Sequence, residues 1–403
     1  MRRVAIVEPV RSAVGAFGKT LRPLPAVDLA AKVLTALIDR TAIDPAVIEE
    51  VVFAQSYANS EAPCIGRWAA LEAGLPIEVP GSQTDRRCGG GLQAVATAAM
   101  MVQTGVADVV VAGGVESMSN IEHYTTTARW GSRSGNQLLY DRLDRGRERS
   151  QPEWRFGKIS GMIETAENLA EKYGIGREEA DSFAARSQQN AAAATESGKF
   201  ADEIVPVEVP VRRGEPVVLD RDEGIRPETT EQTLATLRPI MSGGTVTAGN
   251  SAQQNDAAAA CLVVAEDQLD RLGLTPLAWF EGWAAVGCEP ATMGIGPVGA
   301  VNKLFGRTGV GFDDLALIEI NEAFAVQVLA VLREWGLPSG EVADRLNVNG
   351  SGISLGHPIG ATGGRILATM LRELDRRGGG LALETMCIGG GQGIAALFRG
   401  ASA

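Results

Sequence analysis

Residues 92–103 carry no charge and present small or apolar side chains on nearly every side of a helical wheel. A helix that is hydrophobic all round must be covered all round, so the fold has to place this segment between other layers, most simply between two sheets. The uncharged stretch around it, residues 88–107, is long enough in count for a membrane span. Gly89, Gly90, Gly91, Gln93 and Gln103 within it argue instead for a helix inside a protein.

The arrangement around that helix recurs. Cys88 and three glycines open it, and the strand-like run DVVVAGG follows; His357 in HPIGATGG opens a second helical segment (365–373), and LALETMCIGGG follows. Each half of the chain thus places one reactive side chain in a Gly-rich loop just before a helix. Short β-branched runs at 4–7, 51–54, 108–114 and 316–321 alternate with Ala/Leu-rich helical segments such as 27–39 and 323–335, a pattern that predicts an α/β fold with parallel strands and helical crossovers. Glycine supports the same reading: 49 of 403 residues, clustered at the ends of apolar runs where tight turns are needed.

Between the halves, residues 119–245 differ in character. From Arg129 to Lys158 eight basic residues stand against four acidic ones, in a chain whose overall balance is −12. The segment reads as an inserted loop domain. A solvated or subunit-facing surface accounts for its charge in the ordinary way, and contacts to an anionic substrate tail account for it functionally. The acidic overall balance argues against a nucleic-acid partner or an anionic membrane surface. The opening MRRVAIVEPV has no apolar signal-peptide core, which leads us to expect a cytoplasmic protein.

Five cysteines, an odd number with no C-x-x-C pair, and only two histidines suit neither a disulfide framework nor a metal cluster; we expect no metal. Reactive thiols are then the leading use of cysteine. Cys88, preceded by Arg86 and Arg87 at a helix start, has the surroundings of a nucleophile, with positive charge and the helix dipole favouring its thiolate. A buried structural thiol is the alternative. His357, among glycines that offer little volume to pack against, suits the base for such a thiol. Cys387, before a triple glycine, is either a strand-end core residue or a second thiol that moves a carbon-bound proton. Asn321, closing an apolar strand, is either a helix cap or the holder of a catalytic water. Cys64, Cys261 and Cys288 read as packing residues, and His123 as a surface or packing residue.

TDRRCGGGLQA, GTVTAGNSAQQNDAAAA, MGIGPVGAV, INEAFA, NVNGSGISLGHPIGATG and ETMCIGGGQG stand in the order they have in the thiolase family, and the chain resembles a thiolase along essentially its whole length. The resemblance implies a five-layered αβαβα fold of two similar halves with an inserted loop domain. It divides the chain into an N-terminal half (1–118 with 246–272), the loop domain (119–245) and a C-terminal half (273–403). It implies a homodimer or homotetramer acting on acyl-CoA and CoA, with CoA as substrate and product and no separate cofactor. It places the nucleophile on Cys88, the activating histidine on His357, the second catalytic cysteine on Cys387, the water-holding asparagine on Asn321 and an oxyanion-binding N–H on Gly389. By the same resemblance Arg226 meets the nucleotide of CoA, and Met162, Ala248, Ala252, Met293 and Phe324 line the acyl or pantetheine pocket.

The chain departs from the family pattern at Gly90, Ser351–Gly352, Ala252, Gly161 and Ile163, which leaves open acyl chains longer or bulkier than acetoacetyl. A ketoacyl synthase would need a second histidine in a Gly-rich loop. A non-catalytic CoA-binding or assembly protein on the same fold would have no use for Cys88, His357 and Cys387 together.

Overall fold

The computed structural model describes residues 1–402; Ala403, the end of the C-terminal half expected above, lies outside the described residues. The N-terminal half begins with β1 (Val4–Ser12), α1 (Ala26–Thr41), β2 (Glu50–Ala54), α2 (Ile65–Glu72), β3 (Gly81–Thr84), α3 (Gly90–Gln103) and β4 (Val109–Ser117). The inserted segment carries α4 (Met162–Tyr173) and α5 (Arg177–Glu196), and β5 (Asn255–Ala265) returns to the first half. The second half follows with β6 (Ala278–Gly287), α6 (Gly296–Thr308), β7 (Leu315–Ile320), α7 (Ala325–Trp335), α8 (Thr362–Arg376), β8 (Leu381–Ile388) and β9 (Gln392–Gly400).

The repeat seen in the sequence is a repeat of topology. The first half orders its strands β3-β2-β4-β5-β1 and the second β7-β8-β9-β6, joined where β1 and β6 pair over Ala5–Trp279 and Ile6–Ala278. β1 therefore corresponds to β6, β2 to β7, β4 to β8 and β5 to β9; the counterpart of β3 is a single parallel bridge, Ile318 to Leu346. The expected parallel pairing holds for β2 with β3 and β4 and for β7 with β8. The remaining main pairs are antiparallel, and for β8 with β9 the connection is too short for the crossover that parallel neighbours need. β8 reaches β9 through Gly389, Gly390 and Gly391 alone, the last two at φ of 91° and 86°.

Three apolar clusters sort these elements into five layers. α1 and α2 cover the outer face of the first sheet, and α6 and α7 cover the outer face of the second. Between the sheets lie α3 and α8, whose Leu92, Val95, Ile366 and Met370 are fully buried with Ile6 and Phe398. α3 thus sits where its all-round apolar surface requires. The two central helices meet backbone to backbone: a Cβ on Gly363 would lie 2.1 Å from Leu92 N, and one on Gly91 2.9 Å from Gly364 N. Only glycines permit that approach, and it occurs at the N-terminal ends of both helices, which brings the two reactive loops together.

The inserted segment shares its apolar residues between the two outer layers. α4 and α5 place Leu169, Ala180 and Phe183 against the α7 side, whereas Ile204, Val207 and Leu219 pack with the first half. A fully buried ion network secures the second of these contacts. Arg11 on β1 gives Nε to Glu203 at 2.7 Å and binds Asp222 through both terminal nitrogens at 2.7 and 2.9 Å, and Thr369 on α8 also donates to Glu203 at 2.7 Å. Among the described residues no helix is long and apolar enough to cross a membrane.

Candidate active site

Cys88 lies in a single 3-10 turn, Arg87–Gly89, that runs into α3. Arg87 takes φ of 45°, the left-handed region that residues with side chains seldom occupy, and its N–H donates to Asp85 at 2.8 Å. Cys88 is half-buried and lines two cavities, of about 340 and 760 Å³. Burial pushes its thiol up, while the N–H groups of Gly389 and of Cys88 itself and the charges of Arg87 and Arg147 favour the anion. The expected activation by arginines and helix dipole is therefore outweighed: the shift runs upward, so the resting side chain is a thiol that needs a base. Of the two flanking arginines only Arg87 acts on the sulfur; Arg86 donates to Gln392 at 3.2 Å.

His357 supplies that base. It is buried and lines the larger cavity with Cys88. Burial, then Arg365 and Arg147, hold its imidazole down to about 3, so it is neutral at physiological pH. The hydrogen bonds fix the tautomer. Thr362 Oγ1 donates its one proton to the Pro358 carbonyl at 2.9 Å, so at 2.6 Å from His357 Nδ1 it must accept. Nδ1 carries the proton and Nε2 is bare, facing Asn321 Nδ2 at 3.5 Å. The loop itself is held by Asn255, whose Oδ1 accepts from His357 N at 3.0 Å, and by Glu116, which accepts from Ser56 N, Tyr57 N and Gly360 N at 3.0–3.2 Å. Burial raises the Glu116 carboxyl to about 7 against those three donors. None of Thr362, Asn255 and Glu116 was singled out from the sequence. Thr362 and Asn255 lie inside quoted motifs, and the helix start five residues after His357 and the polar-to-alanine boundary at 255 are the signals that mark them.

Asn321 is fully buried and does not cap the next helix, whose N-cap is Phe324. Its Oδ1 has no hydrogen-bond partner among the described residues. Of the departures from the family pattern, Ala252, Gly161 and Ile163 line the larger cavity, and Gly352 borders Asn321: a Cβ there would stand 2.8 Å from Asn321 Oδ1 and 2.7 Å from the Glu322 carbonyl.

Cys387 is fully buried at the end of β8 and lines neither cavity. Burial, with Cys88 and Cys288 nearby, pushes its thiol well above the usual range, so it rests protonated rather than near a neutral pKa. Gly389 lines the smaller cavity, with Met162 Sδ 3.3 Å from where its Cβ would be. Arg226, Met162, Ala248, Ala252, Met293 and Phe324 all line the larger cavity. Arg226 is exposed at its rim, with its N–H held by Gln188 at 2.8 Å. The floor is closed where Ala252 N donates to the Ala323 carbonyl and Ala325 N to the Asn250 carbonyl, both at 2.9 Å. Cys88, His357 and the six binding residues thus share the larger cavity, Gly389 lines the smaller, and Asn321 and Cys387 lie behind them, close to His357 and Cys88 respectively. Of the three cysteines read as packing residues, Cys261 is in the core, Cys288 is half-buried and Cys64 is exposed at the start of α2. His123 is exposed, 3.9 Å from Asp141.

Residues 4–267 match the family model of the thiolase N-terminal domain and residues 274–400 that of the thiolase C-terminal domain. The chain is 47% identical to the acetyl-CoA acetyltransferase of Chromobacterium violaceum over 97% of its own length and 98% of that protein. It is 45% identical to the acetyl-CoA acetyltransferase of Pseudomonas aeruginosa over 98% of each. In structure it is similar to human mitochondrial 3-ketoacyl-CoA thiolase, with a TM-score of 0.93, 37% identity and 99% of both chains covered.

Proposed function

The chain belongs to the thiolase family and is an acyl-CoA acyltransferase, and from that premise we propose that Cys88, His357, Cys387, Asn321 and Gly389 carry out Claisen condensation of acetyl-CoA or thiolysis of a 3-ketoacyl-CoA through an acyl-cysteine. The observation that carries this reading is the pairing of a protonated Cys88 thiol with a neutral His357 whose Nε2 is bare, both lining one cavity.

In thiolysis His357 Nε2 takes the Cys88 proton and the thiolate attacks the 3-keto carbon. The N–H groups of Cys88 and Gly389, which favour the anion at Cys88, suit the tetrahedral oxyanion. The bond between the second and third carbons breaks, and the electron pair passes to the acetyl-CoA enolate. Cys387, resting protonated, donates to that enolate; a water held by Asn321 Oδ1 and the His357 imidazolium bear its oxygen. CoA then takes the acyl group from Cys88. Condensation runs the same steps in reverse. Arg226 at the rim suits the anionic nucleotide of CoA, and Met162, Ala248, Ala252, Met293 and Phe324 suit its pantetheine arm.

We further propose turnover without a resident cofactor or metal, a cytoplasmic setting, a role in fatty-acid breakdown by β-oxidation, and a homodimer or homotetramer. The five free cysteines support a reducing compartment. Exposed Trp130, Leu138, Leu139 and Trp154 on the inserted segment support a subunit contact, which light scattering tests. Full turnover after chelation and desalting is the expected result for the cofactor.

The mechanism is tested by mass spectrometry. Incubation with acetyl-CoA is expected to leave an acetyl group on Cys88 that added CoA removes, and a folded protein without an adduct overturns the reading. Cys387→Ala is expected to form the adduct yet neither condense nor thiolyse.

A further inference from the structure

Cys88 is the junction of two cavities that share Arg147, Met162 and Ile359 and otherwise differ in lining. The larger contains His357, Phe324, Met293 and, at its rim, Arg226, and is the one that the proposed function fills with CoA. The smaller, about 340 Å³, is lined by Arg87, Arg142, Arg145, Arg147 and Arg149 with a single carboxylate, Asp85.

Local structure explains why the arginines gather. Asp141 caps the short helix Arg142–Glu148 by accepting from Leu143 N at 2.8 Å. Leu143 is buried against Tyr57 and Met118, and Tyr57 donates its hydroxyl to the Leu143 carbonyl at 3.3 Å. With that anchor made, positions 142 and 145 fall on one helical face, Arg149 follows at the helix C-cap, and all three line the cavity. From the other side Arg87 donates to the Gly146 carbonyl at 3.2 Å.

Little of this charge is neutralised inside the protein. Arg142 pairs with Glu122 at 2.5 Å, and Arg147 has only a 3.4 Å contact to the exposed Asp144. Arg145 lies over the Tyr140 ring at 3.6 Å. Neither Arg145 nor Arg149 nor Arg87 has a carboxylate partner among the described residues. Concentrating like charge in a pocket is unfavourable unless something anionic enters it, and guanidinium groups match carboxylates in geometry.

In thiolysis the acyl tail is bonded to Cys88 while CoA enters, and with CoA in the larger cavity the smaller one is the space beside the sulfur left for the tail. We propose that the preferred acyl group ends in a carboxylate: the substrate is a 3-ketoacyl-CoA with a terminal carboxyl group, cut by CoA to acetyl-CoA and a carboxyl-ended acyl-CoA two carbons shorter. This inference rests on the proposed function and names the substrate class of the same site. The chemistry is unchanged, and the terminal carboxylate takes no part in bond making; the arginines act on binding and orientation.

The test compares thiolysis of the six-carbon 3-ketoacyl-CoA that ends in a carboxylate with that of its methyl-ended counterpart. The carboxylate-ended substrate is expected to have a kcat/KM higher by roughly 10- to 100-fold, the range of one charge-assisted hydrogen bond, with the ratio falling as salt is raised. The double variant Arg145→Gln/Arg149→Gln is expected to collapse the ratio at least tenfold, read on protein that still forms the acetyl adduct on Cys88. Equal or better use of the methyl-ended substrate by the unaltered enzyme overturns the proposal. So does a double variant that raises the KM for CoA equally with both substrates, which would assign the arginines to CoA phosphates. Loss of thiolysis with every 3-ketoacyl-CoA would instead strike the underlying function, so the two failures are distinguishable.

Discussion

The Cys88 loop and the His357 loop occupy the same place in the two halves, each between a strand and the N-terminus of a central helix, yet their surroundings are opposite. The Cys88 loop is half-open, strained at Arg87 and fringed by arginines. The His357 loop is shut away, held by neutral hydrogen bonds that it donates to Thr362 and Asn255 and by the three N–H donors that share Glu116 between the halves. The contrast shows how one duplicated scaffold yields two chemical roles. Burial, with the charges of Arg365 and Arg147 behind it, keeps an imidazole unprotonated, and an open site next to cations and N–H groups receives the anion when the proton leaves. Divergence lies in solvation, since the backbone topology is shared.

The largest expected effect comes from deleting the open side of the pair. Cys88→Ala is expected to abolish both the acyl adduct and turnover; retained turnover would break the contrast by moving the nucleophile elsewhere. His357→Ala is expected to lower the rate of acylation by about 10²- to 10⁴-fold, the usual range for a positioned base, measured by rapid-quench mass spectrometry.

The two halves also differ in how they respond to pH. His357 is held at about 3 in the folded protein and titrates near 6.5 when unfolded. Its contribution to stability is therefore present above 6.5 and is lost as pH falls through 6.5 towards 3. The Cys88 thiol is raised, so its contribution is present below the ordinary thiol range and is lost as pH rises beyond it. Denaturant melts across pH, compared between the parent, His357→Ala and Cys88→Ala, are expected to show the acid-side loss relieved only in the first variant and the alkaline-side loss only in the second.

A stability test reaches the contacts behind the loops. Asp222→Ala leaves Arg11 buried with half of its partners and is expected to cost about 3–5 kcal/mol, read from denaturant midpoints. The smallest effect is expected at Thr362→Val, which removes the acceptor for His357 Nδ1–H. Loss of one hydrogen bond of about 1 kcal/mol predicts a several-fold fall in acylation rate, and Thr362→Ser is expected to restore it.

Much of this contrast was legible in the sequence. The two Gly-rich loops, the uncharged helix and the β-branched runs sufficed to place α3 between two sheets, because each rests on local composition; that Cys88, His357, Cys387 and Asn321 share one site was legible only through the resemblance of their motifs to the thiolase family. Direction of pairing was legible only in part: nothing in DVVVAGG shows that β4 has a parallel neighbour on one side and an antiparallel one on the other. The electrostatic balance at Cys88 was legible only in part for a related reason. Arg86 and Arg87 are visible beside Cys88, whereas the desolvation that outweighs them comes from residues far away in the chain. Asn255 and Glu116 were missed because their roles are contacts across the interface between the halves.

The glycine crossing of α3 and α8 has a further consequence for how activity arises during folding. Nucleophile and base belong to different halves, distant in sequence, and they come within reach of one another only when Gly91 and Gly363 allow the two central helices to touch. Contacts of such long separation form late. A chain in which only one half has folded carries an ordinary thiol or an idle imidazole, so catalytic competence appears in one step with the docking of the halves and serves as a readout of it.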